Sequence, residues 1–114
     1  MEIKINDNLF NVIPLITSKD IEKGMMNKKF DSSFDGMLFM IKDGNYNFWM
    51  KNCIIPLDII FIKKNKIAKI HHNCKPCRTN DCKFYDGYGD MVLELSGGSC
   101  LKYQIKDGDS IEIL

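Results

Sequence analysis

Apolar and polar positions alternate with a period of two along most of this chain, the pattern of strands that bury one face. Glu2 to Ile5 and Leu9 to Leu15 read as two strands joined at Asn6-Asp7-Asn8, a turn-forming triplet. Thr17-Ser18 offers a helix N-cap, with Asp20 and Glu22 in a first turn that favours negative charge. Ile21, Met25 and Met26 form the apolar face of that short helix, and Gly24 within it marks a weak point or a close approach. Asn27 to Phe34 is a polar connection. Gly36 to Ile41 reads as a buried strand, and Asp43-Gly44-Asn45 predicts a hairpin turn into a strand from Tyr46 to Cys53. Pro56 cannot donate to a ladder and breaks or bulges the run. Leu57 to Lys63 resumes as a strand and turns at Lys64-Asn65 into Lys66 to His71. From His72 to Gly89, Cys, Asn, Asp, Gly and Pro predict a long loop, of a length usually functional or tethered. Met91 to Leu95 is a strand, Gly97-Gly98 a turn, Ser99 to Ile105 one or two helical turns, and Ser110 to Leu114 a final strand. The expected fold is mainly β (α+β): a small antiparallel β-barrel or curved sheet with one or two short peripheral helices.

The segment Phe48 to Ile62 departs most from a simple buried pattern. It is almost continuously apolar yet carries Lys51, Asn52 and Asp58. A buried charge costs several kcal/mol unless paired or hydrogen-bonded, so each group must reach solvent, find a partner or serve a site.

Composition narrows the class. The chain has 114 residues, which predicts a single domain over 1–114 with a core that needs no metal or disulfide. Sixteen Lys and Arg against fifteen Asp and Glu give a net charge of +1, which argues against a dedicated nucleic-acid or membrane surface. No apolar run approaches the roughly 20 residues of a membrane span, and the start, Met1-Glu2-Ile3-Lys4-Ile5, reads as a strand and not a signal peptide. The expected location is the cytoplasm, or the host cytosol for a viral gene, where five cysteines would be mostly thiols or metal ligands.

Gly24-Met25-Met26, Gly36-Met37-Leu38-Phe39 and Phe48-Trp49-Met50-Lys51-Asn52 followed by Ile55-Pro56-Leu57-Asp58-Ile59-Ile60-Phe61 closely resemble the DUF192 family. Pro76-Cys77, Cys82 before Tyr85, Val92-Leu93-Glu94-Leu95, Gly98 and Gly108-Asp109 continue the likeness, from about residue 9 to the end. The resemblance implies a small β-rich domain and no established activity. The family usually has Thr where Cys53 stands, so no hydroxyl is required there, and many members look exported.

Three constellations carry candidate chemistry. Trp49, Lys51, Asn52, Asp58 and Glu94 are the candidate ligand-binding residues. Lys51 would attract an anion or carbonyl, Asn52 orient it and Trp49 give a stacking wall. In the structural alternative, Lys51 and Asp58 form a partly buried ion pair and Asn52 secures the Pro56 bend; Glu94 would bond a loop or pair with Lys51. Cys74, Cys77 and Cys82 with His72 (or His71) are zinc candidates, since Cys74-Lys75-Pro76-Cys77 has the C-x2-C spacing. The family pattern retains only Cys77 and Cys82, which suits a short disulfide; free or redox-sensitive loop thiols rank first, that disulfide second and zinc third. No other cofactor is expected. Gly97-Gly98-Ser99-Cys100 lacks both the P-loop and the nucleophile-elbow pattern and reads as a tight turn.

Function is left between three classes. The first is a noncatalytic domain binding a small ligand or a protein through a cleft around Trp49, Lys51 and Glu94. The second is a hydrolase-type enzyme with Asp58 or Glu94 as base and Lys51 as electrostatic stabiliser. The third is a virion or structural interaction protein.

Overall fold

The computed structural model describes all 114 residues. Seven strands run as β1 (Glu2–Ile5), β2 (Asn8–Leu15), β3 (Gly36–Trp49), β4 (Leu57–Lys63), β5 (Lys66–Cys74), β6 (Phe84–Ser96) and β7 (Ile111–Ile113). Two short helices, α1 (Ser18–Lys23) and α2 (Ser99–Lys102), interrupt them. The strands form one curled sheet in the order β5-β4-β6-β3-β2-β1-β7, a half-barrel. Its outer strands meet at one corner, where Lys66 bridges Ser110 and Ile67 N–H donates to the Asp109 carbonyl. Pairing is antiparallel except between β2 and β3, which run parallel and are joined by the crossover that carries α1.

Each face of the sheet has its own core. The concave face gathers Ile3, Ile5, Phe10, Val12, Leu38, Ile60, Ile62, Leu93 and Leu95 with Cys100 of α2. The convex face of β4, β6 and β3 carries Leu57, Ile59, Phe61, Met37, Phe39 and Val92, roofed by Met25, Phe34, Met50 and Cys53 from the connections. That is why β4 is buried from Leu57 to Ile62 and is apolar there except at Asp58: both of its faces are covered.

The hairpin turn expected at Asp43-Gly44-Asn45 is a bulge inside one 14-residue strand. Met40 pairs with Met91 and Gly44 with Gly89, so Ile41, Lys42 and Asp43 stand opposite Asp90 alone. The bulge is fastened by the Tyr46 hydroxyl donating to the Lys42 carbonyl (2.5 Å), and by Asp43 accepting from Lys63 and from the Tyr88 hydroxyl. Its consequence is a change of face. Leu38 and Met40 pack on the concave core, whereas Tyr46 and Phe48, in the same alternation, pack on the convex one. The long loop expected from His72 to Gly89 shrinks for the same reason. β5 continues to Cys74 and β6 starts at Phe84, because Gly87 is a close approach and not a turn: a Cβ there would lie 2.4 Å from the Phe61 ring.

Asp58 fixes one end of the half-barrel. Completely buried on the concave side of β4, its carboxylate accepts backbone N–H bonds from Asn73 (2.8 Å), Gly98 (3.1 Å) and Cys100 (2.8 Å). One side chain thereby ties the end of β5 to the turn before α2 and to α2 itself. Replacing Asp58 with Ala orphans three buried donors, and the expected loss is about 3–5 kcal/mol of unfolding free energy. Urea denaturation of Asp58→Ala measures it; a loss below about 1 kcal/mol would mean that these bonds do not hold the end of the sheet.

Candidate functional site

The site begins with the two sides of β4 and β6. Register pairs Asp58 with Leu95 and Ile59 with Glu94, so the two acidic residues point to opposite faces of the sheet. Glu94 stands on the convex face between Met37 of β3 and Ile59 of β4, both fully buried. Above it passes the chain leaving α1. Thr17 caps that helix, its hydroxyl accepting from Asp20 N–H at 3.2 Å, and Gly24 ends it at φ +45°, a conformation that favours glycine. A Cβ on Gly24 would fall 3.1 Å from the Phe39 ring and 3.8 Å from Glu94 Oε1, so a bare backbone is what leaves room over the carboxyl.

That room is a pocket of about 260 Å³. Ile21, Met25 and Met26 form one wall, Phe39, Ile41, Tyr46, Phe48 and Trp49 of β3 another, and Cys53 closes a side. Lys23 and Glu22 of α1 are exposed at the rim. The size is a little below the roughly 300–1,000 Å³ common for drug-sized ligands, which suits a small occupant. Glu94 is the acidic group enclosed with these apolar walls. It is 4% exposed, and its Oε1 is shut off from water with no hydrogen-bond partner. Burial alone raises its carboxyl from the ordinary 4.5 to about 8, so the acid form predominates at neutral pH. The Cys53 thiol is pushed up to about 12, first by burial and then by the charge of Glu94, and stays protonated.

Of the five candidate residues, Trp49 and Glu94 share this pocket. Trp49 is 39% exposed and stacks on Phe84, with ring centroids 5.8 Å apart. Lys51 lies outside. Its ammonium donates to Asn80 Oδ1 (3.3 Å) and sits 5.3 Å from the Trp49 ring centre, so the expected pairing with Asp58 or Glu94 is not formed. The reason is the end of β3 at Trp49: Met50 turns inward, and the backbone at Lys51 bridges Cys77 instead of continuing the strand. Asn52 acts through its backbone. At φ 61° its N–H donates to the Cys77 carbonyl and its carbonyl accepts from Asn27 N–H, joining two connections; no bond reaches the Pro56 bend.

The cysteine segment is likewise dispersed. Cys77 and Cys82 are joined in a disulfide, so they are neither free loop thiols nor available zinc ligands. Cys74 is buried with its thiol toward the His71 carbonyl, His72 is exposed, and no group of three or more His, Cys, Asp or Glu is gathered in ligating geometry. Cys100 is a buried thiol beside Asp58.

Comparison with known proteins agrees with this architecture. The family model DUF192, described as "Uncharacterized ACR, COG1430", matches residues 1–113. The chain belongs to the DUF192 family. The DUF192 match takes in β1, beyond the span suggested by the sequence motifs alone. Two crystal structures superpose closely. A protein of unknown function from Novosphingobium aromaticivorans DSM 12444 is 29% identical with a TM-score of 0.86, over 98% of this chain and 84% of that one. A protein from Sinorhizobium meliloti 1021, described as a "putative transcription regulator", is 26% identical with a TM-score of 0.87, over 97% and 91%. No curated protein matches this DUF192 chain.

The residues that sequence reasoning missed are Gly24, which read as a weak point or a close approach, and Met25, Met26, Phe39 and Phe48, which read as core. Their signal lay in the short motifs Gly24-Met25-Met26 and Gly36-Met37-Leu38-Phe39, far apart in sequence but facing the same carboxyl here.

Glu94 also makes stability depend on pH. Its folded value, about 8, lies above the ordinary 4.5, so the folded state retains a proton that the unfolded state has already lost. Its contribution is fully present below about pH 4.5 and is lost progressively up to about pH 8. Glu94→Gln, close in shape to the protonated acid, should therefore gain on wild type across that window, by an amount on the order of 4 kcal/mol. Paired denaturation curves from pH 4 to 9 test this, since the other titrating groups cancel in the difference. A constant offset would mean that Glu94 is not protonated in the fold.

Proposed function

We propose that this DUF192 protein is a noncatalytic binding domain whose ligand site is the pocket over Glu94. One observation carries the reading: a carboxyl 96% withdrawn from solvent stands unpartnered under an apolar, aromatic-lined cavity. A fold gains nothing from such a group, because Leu or Met in its place would bury without an unsatisfied oxygen. A partner that enters the cavity and reaches the carboxyl removes that penalty. The exposed Glu22 and Lys23 at its rim support an accessible site and not a sealed core.

The enzyme reading needs Asp58 or Glu94 together with Lys51 around one cavity. Asp58 lies on the other face with three backbone N–H groups on its oxygens, and Lys51 is engaged with Asn80. The pocket thiol, Cys53, is held in its unreactive protonated form.

The test uses protein with 13C-labelled methionine methyl groups and three six-carbon probes: hexan-1-ol, hexanoate and n-hexylammonium. At least one should shift the Met25 and Met26 signals saturably while leaving Met40 and Met91 of the concave side in place. Ile21→Trp, which plugs the mouth from α1, should abolish those shifts. Absence of any saturable change at Met25 and Met26, or its persistence in Ile21→Trp, overturns the assignment.

A further inference from the structure

We propose that the Glu94 pocket takes a small organic ammonium ion, its cationic head against the Glu94 carboxylate and its apolar body among the methionine and aromatic walls. This deepens the binding reading above and rests on it.

The first argument is charge. No ion pair includes Glu94, and no side chain of the chain bonds its Oε1. The titratable groups facing the cavity are few. Cys53 comes from the connection after β3, Tyr46 from β3, and Glu22 and Lys23 from the exposed turn of α1; β4 contributes Ile59, which is apolar. Lys23 is the cation among these, and it stands exposed at the rim without an ion pair to Glu94, so an occupant with its own positive charge would compensate the buried carboxylate.

The second argument is the wall. Phe39, Tyr46 and Phe48 line the pocket with the carboxyl, as do Met25 and Met26. Aromatic faces carry negative quadrupole density and attract ammonium groups, and methionine sulfur is soft and adaptable. An anionic head would meet those faces with the wrong sign, and would have to share the Glu94 proton with no counter-charge in reach. A neutral head offers one hydrogen bond and no charge compensation.

Binding then moves one proton. Glu94 enters as the neutral acid, releases its proton to solvent, and the carboxylate so formed pairs with the ammonium, which keeps its own protons. Total charge is conserved: one cation is bound and one proton is released.

The same three probes decide the matter by calorimetry and by the Met25 and Met26 signals. n-Hexylammonium, an alkylamine like lysine, stays protonated through the range used. It should bind roughly tenfold or more tighter than hexan-1-ol at pH 8, a difference of about 1.4 kcal/mol. Its affinity should rise with pH from 6 toward 8, with net proton release on binding in buffers of differing ionisation heat. Glu94→Gln should abolish both the proton release and the preference for the ammonium, with its methionine spectrum confirming the fold. If hexanoate or hexan-1-ol binds tightest, or if Glu94→Gln keeps the preference, the ammonium assignment falls while the pocket stands. If no probe moves Met25 and Met26, both fall.

Discussion

Strand β6 is the constraint on which the rest of this molecule depends. It pairs with β3 along one edge and β4 along the other, and from Met91 to Leu95 both of its faces are covered. A strand enclosed on four sides has no route to solvent, so a side chain there must be apolar, bonded or functional. Met91, Val92, Leu93 and Leu95 meet that demand by packing into the two cores. Glu94 does not meet it from within the chain.

The contrast with Asp58 makes the point sharper. Both carboxyls lie in neighbouring central strands, almost opposite one another, and both are withdrawn from water. Asp58 faces the end of β5 and the Gly97-Gly98 turn, where three backbone N–H groups converge on its two oxygens. Charge, geometry and burial are there mutually consistent, and the group acts as a fastener. Glu94 faces aromatic rings and an opening. The same residue class, one register position away and on the other face, is a structural element in one case and an unfilled valence in the other.

Much of the architecture follows from the sequence pattern. The alternation located all seven strands, Thr17 the start of α1, and Lys64-Asn65 the β4–β5 turn, where both residues take positive φ. Two errors share one cause. At Asp43-Gly44-Asn45 and again at Gly87 and Gly89, turn-forming residues lie where β3 and β6 exchange faces, and a local pattern cannot distinguish a bulge held by Tyr46, Lys63 and Tyr88 from a reversal of the chain. For the site, the anomaly of charge within the apolar run drew attention to Lys51, Asn52 and Asp58, and Glu94 entered beside the Gly97-Gly98 turn. What it could not supply was the face. That depends on pairing register, and a shift of one residue would have exchanged their roles. Lys51 was misplaced because the strand ends two residues before it.

The cost of Glu94 bears on why the pocket is apolar. Were the cavity lined by lysine or arginine, the carboxyl would ionise, form an internal pair and close the space; the site would be stable and inert. Were it open to water, the carboxyl would titrate near its ordinary value and distinguish poorly among ligands. Enclosure by Phe39, Phe48, Met25 and Cys53 avoids both outcomes: it keeps the acid neutral and unsatisfied, the state that the proposed ligand would relieve. A buried unpartnered carboxyl costs stability that a leucine at position 94 would not, and a ligand of the proposed kind would return it by mass action. On the proposed binding reading, local instability and selectivity would be the same property, set by one side chain that the surrounding sheet leaves without a partner.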